Sequence, residues 1–330
     1  MVLEATQVIA QRAVFAKDLD ERQRLLRYQK SLNYYRGKHE NPFLDPDVNF
    51  ITANYCRLTV DKGVAFLFGK EPIFEQDPFE TTPMEETIRQ IWHANKKMTL
   101  LKNIGLNGGI FGDVFVALRV GDGSLGKIKN TAIPMIENID PALVTVEWDP
   151  RNFQHETSFV IEWEAKNILE DGTEESVIFR QEIQEVSPGS WVIRDLRKRS
   201  QDADFVLERR VEWPWKWPPI LHWQNLPEPN AYYGDSDLTE DIFAIQDAIN
   251  FTLSNIGVIL KNHAHPKTIG IGFLEDIMRT GPSKMSIIED PDAKVFNLEM
   301  ISDLGSSVQF FKDLVTTWHE IARIPEAATG

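Results

Sequence analysis

Residues 235–261 read DSDLTEDIFAIQDAINFTLSNIGVILK. Apolar side chains recur at Leu238, Ile242, Ile245, Ile249, Leu253, Ile256 and Leu260, a helical period. Ser236 or Asp237 can accept from the first free amides, and Asp237 with Glu240 has the spacing of a capping box. The acids Asp235, Asp237, Glu240, Asp241 and Asp247 precede the first base, Lys261, an order that suits the helix dipole. The spacing predicts a helix of roughly 35–40 Å at about 1.5 Å per residue. A second long helix is predicted over residues 302–324, with a heptad of Leu304, Val308, Phe311, Val315, Trp318 and Ala322 that needs a helical partner, and Pro325 as its stop.

Outward from these helices, the 330 residues are enough for two or three modules, and 42% hydrophobic content supports a core. The net charge of −15 excludes a non-specific DNA binder held by clustered cations, but permits a chain that surrounds DNA without gripping it. The single cysteine, Cys56, rules out an internal disulfide framework and fits a reducing compartment. MVLEATQVIAQR lacks the basic and apolar halves of a secretory signal. The uncharged run Ala248–Leu260 is too short and polar to span a bilayer. The expectation is a soluble chain made inside the cell, with no membrane partner.

Upstream, helices are predicted to about Gly37, over Thr52–Leu67, Pro83–Ala94 and from Met98 to about Asn107, with a loop at NPFLDPD. The pattern then turns to strands from Asp113, over Thr131–Ile136, Leu143–Trp148, Thr157–Ala165, Ser176–Ile183 and Trp191–Leu196. Their outer parity carries Glu162, Glu164, Glu174, Glu175, Glu182 and Glu185, so the sheet is antiparallel with one wet face. Val211–Pro229, with four Trp and five Pro, reads as a stiff extended connector. After His265-Pro266 a small mixed unit follows: a strand from Ile269, a helical turn at Leu274–Met278, and strands flanking Asp290-Pro291. The fold class is α+β.

Catalytic patterns are scarce. GLNGGIFG at 105–112 has neither nucleotide-loop spacing and stands between helix and strand, so a tight turn is favoured over a phosphate cradle. His263-x-His265 with distant His222 lacks a carboxylate or thiol to complete a metal cage. Cys56 reads as a packed thiol, the tryptophans of the connector as a pinned linker, and Arg194, Arg197, Lys198 and Arg199 as a solvated hairpin tip or an interface patch. Neither a paired-carboxylate nor a Ser/His/Asp arrangement emerges, and no cofactor is expected.

Four stretches resemble the tailed-bacteriophage portal proteins, the head-to-tail connector family: LNYYRGKHE with NFITANYCRLTVDKGVAFLFGKEP; LLKNIGLNGGIFGDVFVALRV with Gly112-Asp113 at the transition; YYGDSDLTEDIFAIQDAINFTLSN; and the 302–324 helix with Ile324-Pro325-Glu326. The Gly234, Ser236, Asp237, Leu238, Gln246, Asp247, Asn250 and Ser254 pattern is the most specific. The resemblance implies a wing over 1–234 (helical 1–112, β-rich 113–210, connector 211–234), a first stem helix at 235–264, a clip at 265–301, a second stem helix at 302–324, and the start of a tunnel loop at 325–330; family members usually continue into a helical crown, and the crown's absence from this sequence is a departure from that pattern. It also implies a homo-oligomeric ring, typically dodecameric, at the portal vertex of the virion, assembled in the host cytoplasm. Its partners would be the terminase large subunit, a head-completion or tail-adaptor protein, capsid and scaffolding proteins, and double-stranded DNA passing through the channel during packaging and ejection, with ATP hydrolysis left to the terminase and no catalysis in this chain.

On that resemblance the stem interface would take Leu304, Val308, Phe311, Val315 and Trp318 with Ile242, Ile245 and Ile249. Lys267, Arg279 and Lys284 would face partners from the clip, and Glu299, Asp303, Glu320 and Glu326 are the candidates for the DNA channel. Like charge along a conduit keeps the duplex mobile. The rival reading is a β-rich carbohydrate- or protein-binding module on a helical oligomerisation stalk.

Overall fold

Local sequence chemistry sets the ends of the first four helices: α1 (Leu19–Tyr35), α2 (Tyr55–Leu67), α3 (Pro83–Ala94) and α4 (Met98–Phe111). The structure, a computed structural model, describes residues 9, 12, 19–42, 49–74, 82–120, 127–128, 131–168, 174–199, 204–264, 268–271, 292, 294–297 and 304–325. Helix α1 stops before Gly37 as expected. Helix α2 starts three residues later than predicted, because Asn54 serves as its cap and accepts from the Arg57 amide. The Asn54 amide also donates to the Tyr35 carbonyl, tying the end of α1 to the start of α2. Helix α3 opens with Pro83 in its first turn and a full capping box between Thr82 and Glu85.

The glycines of GLNGGIFG are not a turn: three of them lie inside α4, which runs on to Phe111 rather than ending near Asn107. Their missing side chains let neighbours approach. A Cβ on Gly109 would stand 2.9 Å from Val60 Cγ1 and from Asp237 Oδ2, and one on Gly105 would meet the Phe68 ring at 2.8 Å. The turn itself falls at Gly112 alone, with φ +87°.

Strands follow: β1 (Asp113–Arg119), β2 (Lys127–Ile128), β3 (Thr131–Ala132), β4 (Met135–Ile139), β5 (Val144–Asp149), β6 (Asn152–Ile168), β7 (Glu174–Ser187), β8 (Ser190–Arg199), β9 (Val206–Trp213) and β10 (Ile220–Gln224). One antiparallel sheet has the order β10-β1-β4, and another the order β5-β6-β7-β8-β9. Strand β1 is buried on both sides. Phe115 and Ala117 join the core shared by the two sheets, with Ile139, Val146, Phe159, Ile183 and Trp191. Val114 and Val116 point the other way, where α4 packs on β1 and also contacts α1 and α2. The prolines of the connector leave room for one short strand, β10, which sits at a sheet edge where a proline-flanked strand is tolerated.

By contact density the chain divides into residues 1–38, 54–243 and 322–330, and residues 39–53 and 244–321. The predicted long helix is present as α5 (Glu240–Ala264), and the second as α6 (Leu304–Ile321). Helix α5 begins five residues after the expected start, and the predicted Asp237–Glu240 capping box does not form. Asp237 instead accepts from the Asn225 amide, and Ser236 donates to the Gly109 carbonyl while accepting from Leu238 N. By length and mean hydropathy, Glu240–Lys261 is long and apolar enough to cross a membrane, which the run Ala248–Leu260 did not indicate. Strands β11 (Thr268–Ile271) and β12 (Lys294–Asn297) pair antiparallel. The predicted helical turn at 274–278 lies outside the described residues.

Candidate functional site

The larger unit is organised on one buried carboxylate. Asp113, fully buried at the first position of β1, accepts from Tyr28 Oη at 2.5 Å and from the Gly234 amide at 2.9 Å, and pairs with His222 Nε2 at 2.8 Å. His222 is stacked between Phe115 and Tyr232, with centroids 4.6 and 4.5 Å away. Burial holds the Tyr28 phenol well above its usual range, so it stays a donor. Above it, the Arg24 guanidinium donates to the Pro141 and Val144 carbonyls and to Glu21. Burial opposes its charge, but Tyr28, Tyr233 and Glu21 outweigh burial and keep it protonated. Every strong acceptor here is met inside the protein, so the cluster is a fixed joint between α1, β1, β10 and the 232–237 segment.

At the same joint the segment before α5 is pressed against Gly112. A Cβ there would lie 2.6 Å from Asp235 C, 2.7 Å from Gly234 O and 2.7 Å from Ser236 N, all backbone atoms. The Gly109 carbonyl receives both Ser236 Oγ and the Asp237 amide, and the Gly112 carbonyl receives the Asn225 amide. Burial raises the Asp237 carboxyl, with the Asn225 amide opposing. The pattern Gly112-Asp113 with Gly234, Ser236 and Asp237 is therefore one contact, read in sequence as two separate motifs.

The rest of that pattern belongs to the smaller unit. Gln246, Asn250 and Ser254 follow at four-residue spacing and form a fully buried polar stripe on α5. Asn250 Oδ1 accepts from Ala53 N at 3.0 Å, Ser254 Oγ accepts from Ile51 N at 2.8 Å, and Gln246 Nε2 donates to the Ala53 carbonyl at 2.7 Å. Gln246 also donates to Asn250 Oδ1, so the Asn250 amide nitrogen is the end that donates to His39 Nδ1. The extended segment 49–53 is thus held by side chains rather than by a strand ladder.

Of the residues singled out for the stem, Ile242 and Ile249 are buried and Ile245 is half-buried. Leu304, Val308, Phe311 and Val315 are half-buried and Trp318 fully buried, so the heptad marks the covered side of α6, with Phe310 and Ile321 exposed on the other. Among the described residues, α5 and α6 make no extensive contact with each other. Glu320 is exposed. Lys267, Arg279, Lys284, Glu299, Asp303 and Glu326 lie outside the described residues.

The basic cluster is not a hairpin tip. It lies along β8, where Arg194 faces Glu182 at 3.5 Å, Arg197 faces Glu208 at 2.9 Å and Arg199 faces Glu175 at 3.3 Å. In the connector, Trp215 and Trp217 stack 5.8 Å apart, each 42% exposed, and both meet Trp213 edge-on. Among the described residues no three His, Cys, Asp or Glu side chains gather as a metal site.

The neck of an empty GTA particle, computed with C6 symmetry, matches with a TM-score of 0.51 at 12% identity, over 86% of this chain and 69% of that one. No curated protein matches the sequence. Residues 16–300 match the family described as phage portal protein, SPP1 Gp6-like, and the chain belongs to that family.

Proposed function

We propose that copies of this chain form a closed ring at the head-to-tail vertex of a phage particle, a conduit through which double-stranded DNA is packaged and later ejected. The carrying observation is the family match over residues 16–300, which takes in the joint at Asp113, the polar stripe of α5 and β11–β12 in one continuous order. In this reading α5 and α6 are the stem helices and the β11–β12 unit is the clip, which docks the terminase during packaging and the tail adaptor afterwards. The chain itself is a structural element without catalysis, and the packaging motor supplies the hydrolysis. The net charge of −15 supports the conduit, since a wall rich in carboxylates does not hold phosphates.

Among the described residues the two proposed stem helices make no extensive contact with each other, and Phe251, Leu260, Phe310 and Ile321 are exposed on them, which leaves apolar surface for neighbouring copies, as a heterologous ring requires. Native mass measurement with negative-stain imaging tests the reading. Rings with a central hole and high rotational symmetry are expected. A compact dimer or trimer at assembly concentrations overturns it.

A further inference from the structure

A cleft of about 560 Å³ opens on the larger unit between α1, the α3–α4 corner and β4. Its floor is apolar, with Leu32, Leu100, Leu106, Ile110 and Ile136. Its rim carries two exposed cations, Arg36 and Lys96; Arg36 faces Asp140 from a distance, and neither forms a salt bridge within 4 Å among the described residues. The acids nearby are already engaged. Glu137 pairs with Arg119 at 2.9 Å, and Asp140 accepts from the Ala142 amide and is faced by Arg12, Arg24 and Arg36. Lys96 is presented by a strained corner, with positive φ at both Lys96 (62°) and Lys97 (49°). Buried Asn95 pins that corner by accepting from Ile136 N and donating to the Pro134 carbonyl.

The same asparagines decide what can enter. Strand β4 is an outer strand of its sheet, yet Asn95 occupies Ile136 N, and Asn107 donates to the Ile139 carbonyl. An extended partner finds those edge groups taken, which disfavours strand addition. A partner that inserts side chains, as an amphipathic helix does, needs none of those groups.

We propose that this cleft docks an acidic amphipathic helix of a partner protein, its apolar side chains on the Leu32–Leu106–Ile110 floor and its carboxylates against Arg36 and Lys96. The proposal does not rest on ring formation, and it is tested on the 330-residue chain. The probe is a labelled helical peptide of Leu, Ala and Glu, with leucines at three- and four-residue spacing, measured by fluorescence anisotropy. A control peptide has Lys in place of every Glu. Saturable binding of the acidic peptide alone is expected. The R36E–K96E double variant should weaken it about tenfold or more, because both rim cations are reversed. Asn103→Trp, at an exposed position lining the cleft, should block binding by filling it while leaving the melting temperature in place. Equal binding of the two peptides, binding indifferent to both variants, or no saturable binding overturns the proposal. Displacement of the peptide by a short DNA duplex at comparable concentration would also overturn it, by making the rim a phosphate patch.

Discussion

Gly112→Asn separates two explanations that glycine positions usually confound. At Gly112 φ is +87°, and at Gly189 it is +72°. If backbone conformation were the whole requirement, asparagine, which tolerates the left-handed region, would serve at both for well under about 1 kcal/mol, and alanine would cost roughly 1–2 kcal/mol. The surroundings differ. A Cβ at 189 meets only Lys216, at 3.5 Å or more, an ordinary contact. A Cβ at 112 meets three backbone atoms of residues 234–236 at 2.6–2.7 Å, and none of them can rotate away. Relief requires the 234–237 segment to lift, which loosens the bonds from Gly234 N to Asp113, Asp235 N to the Leu226 carbonyl, and Ser236 Oγ and Asp237 N to Gly109. At about 1 kcal/mol net for each of these bonds, plus the strain, the loss is about 4–6 kcal/mol, comparable to the whole stability of many domains. Urea unfolding followed by tryptophan fluorescence gives the midpoints. Gly189→Asn should stay near wild type, and both Gly112→Asn and Gly112→Ala should shift the midpoint far down or fail to accumulate as soluble protein. Equal midpoints for the two asparagine variants would refute the close-approach argument.

Asn250→Ala should cost about 2–4 kcal/mol through the stranded donors it leaves, and hydrogen exchange at the Ala53 amide should quicken more than at any amide of α4. Raising the pH should also destabilise the fold. Burial pushes the Tyr233 phenol up to about 12. An unfolded tyrosine ionises near 10, so stability present below pH 10 is lost as pH rises from about 10 to 12, about 2–3 kcal/mol from this group alone. Tyr28 and Tyr232 act in the same direction. Urea midpoints at pH 8 and 11 should separate, and less so in Tyr233→Phe; coincident midpoints would contradict the assignment. Phe311→Asp, on the half-buried side of α6, should abolish oligomers while the larger unit still melts cooperatively, whereas Trp318→Asp should damage the single chain as well. Intact oligomers in Phe311→Asp would remove the seam from the stem. Arg197→Ala should change the melting temperature little, because its pair with Glu208 is half-exposed and worth under about 1 kcal/mol.

What the sequence made legible was periodic or punctuated. The heptad of α6 could be read because each side chain shares one face, and α3 because Thr82, Pro83 and Glu85 form a local capping unit. The start of α5 was misread for the same reason that it matters. Ser236 and Asp237 have the chemistry of caps, but their partners are Gly109 and Asn225, more than a hundred residues and about a dozen residues away respectively. Propensity sees the short range only, and tertiary contacts overrode it. The joint at Asp113 was only half legible on similar grounds: Gly112-Asp113 stands out as a motif, but Tyr28 and His222, its partners, are ordinary in their local windows. The cleft was hidden because its floor and rim come from three separate segments. The basic run on β8 misled in the opposite way, since an i-to-i+1 cluster of cations on a strand is divided between two faces and across two neighbours.

The polar stripe of α5 also bears on why so apolar a helix can hold one fixed geometry without slipping. An apolar stripe alone tolerates rotation and sliding, because hydrophobic contact is not directional. Gln246, Asn250 and Ser254 each engage a particular backbone group of residues 51–53, and they do so in register: Ser254 with Ile51, Asn250 and Gln246 with Ala53. A rotation of α5 by one residue turns the stripe by about 100° and strands all three side chains and their backbone partners together. The cost is therefore paid as a block, which makes the helix azimuth a discrete choice. In a ring of proposed stem helices, every copy must present the same face to its neighbour, and a helix whose azimuth is locked by its own chain meets that condition before any neighbour arrives.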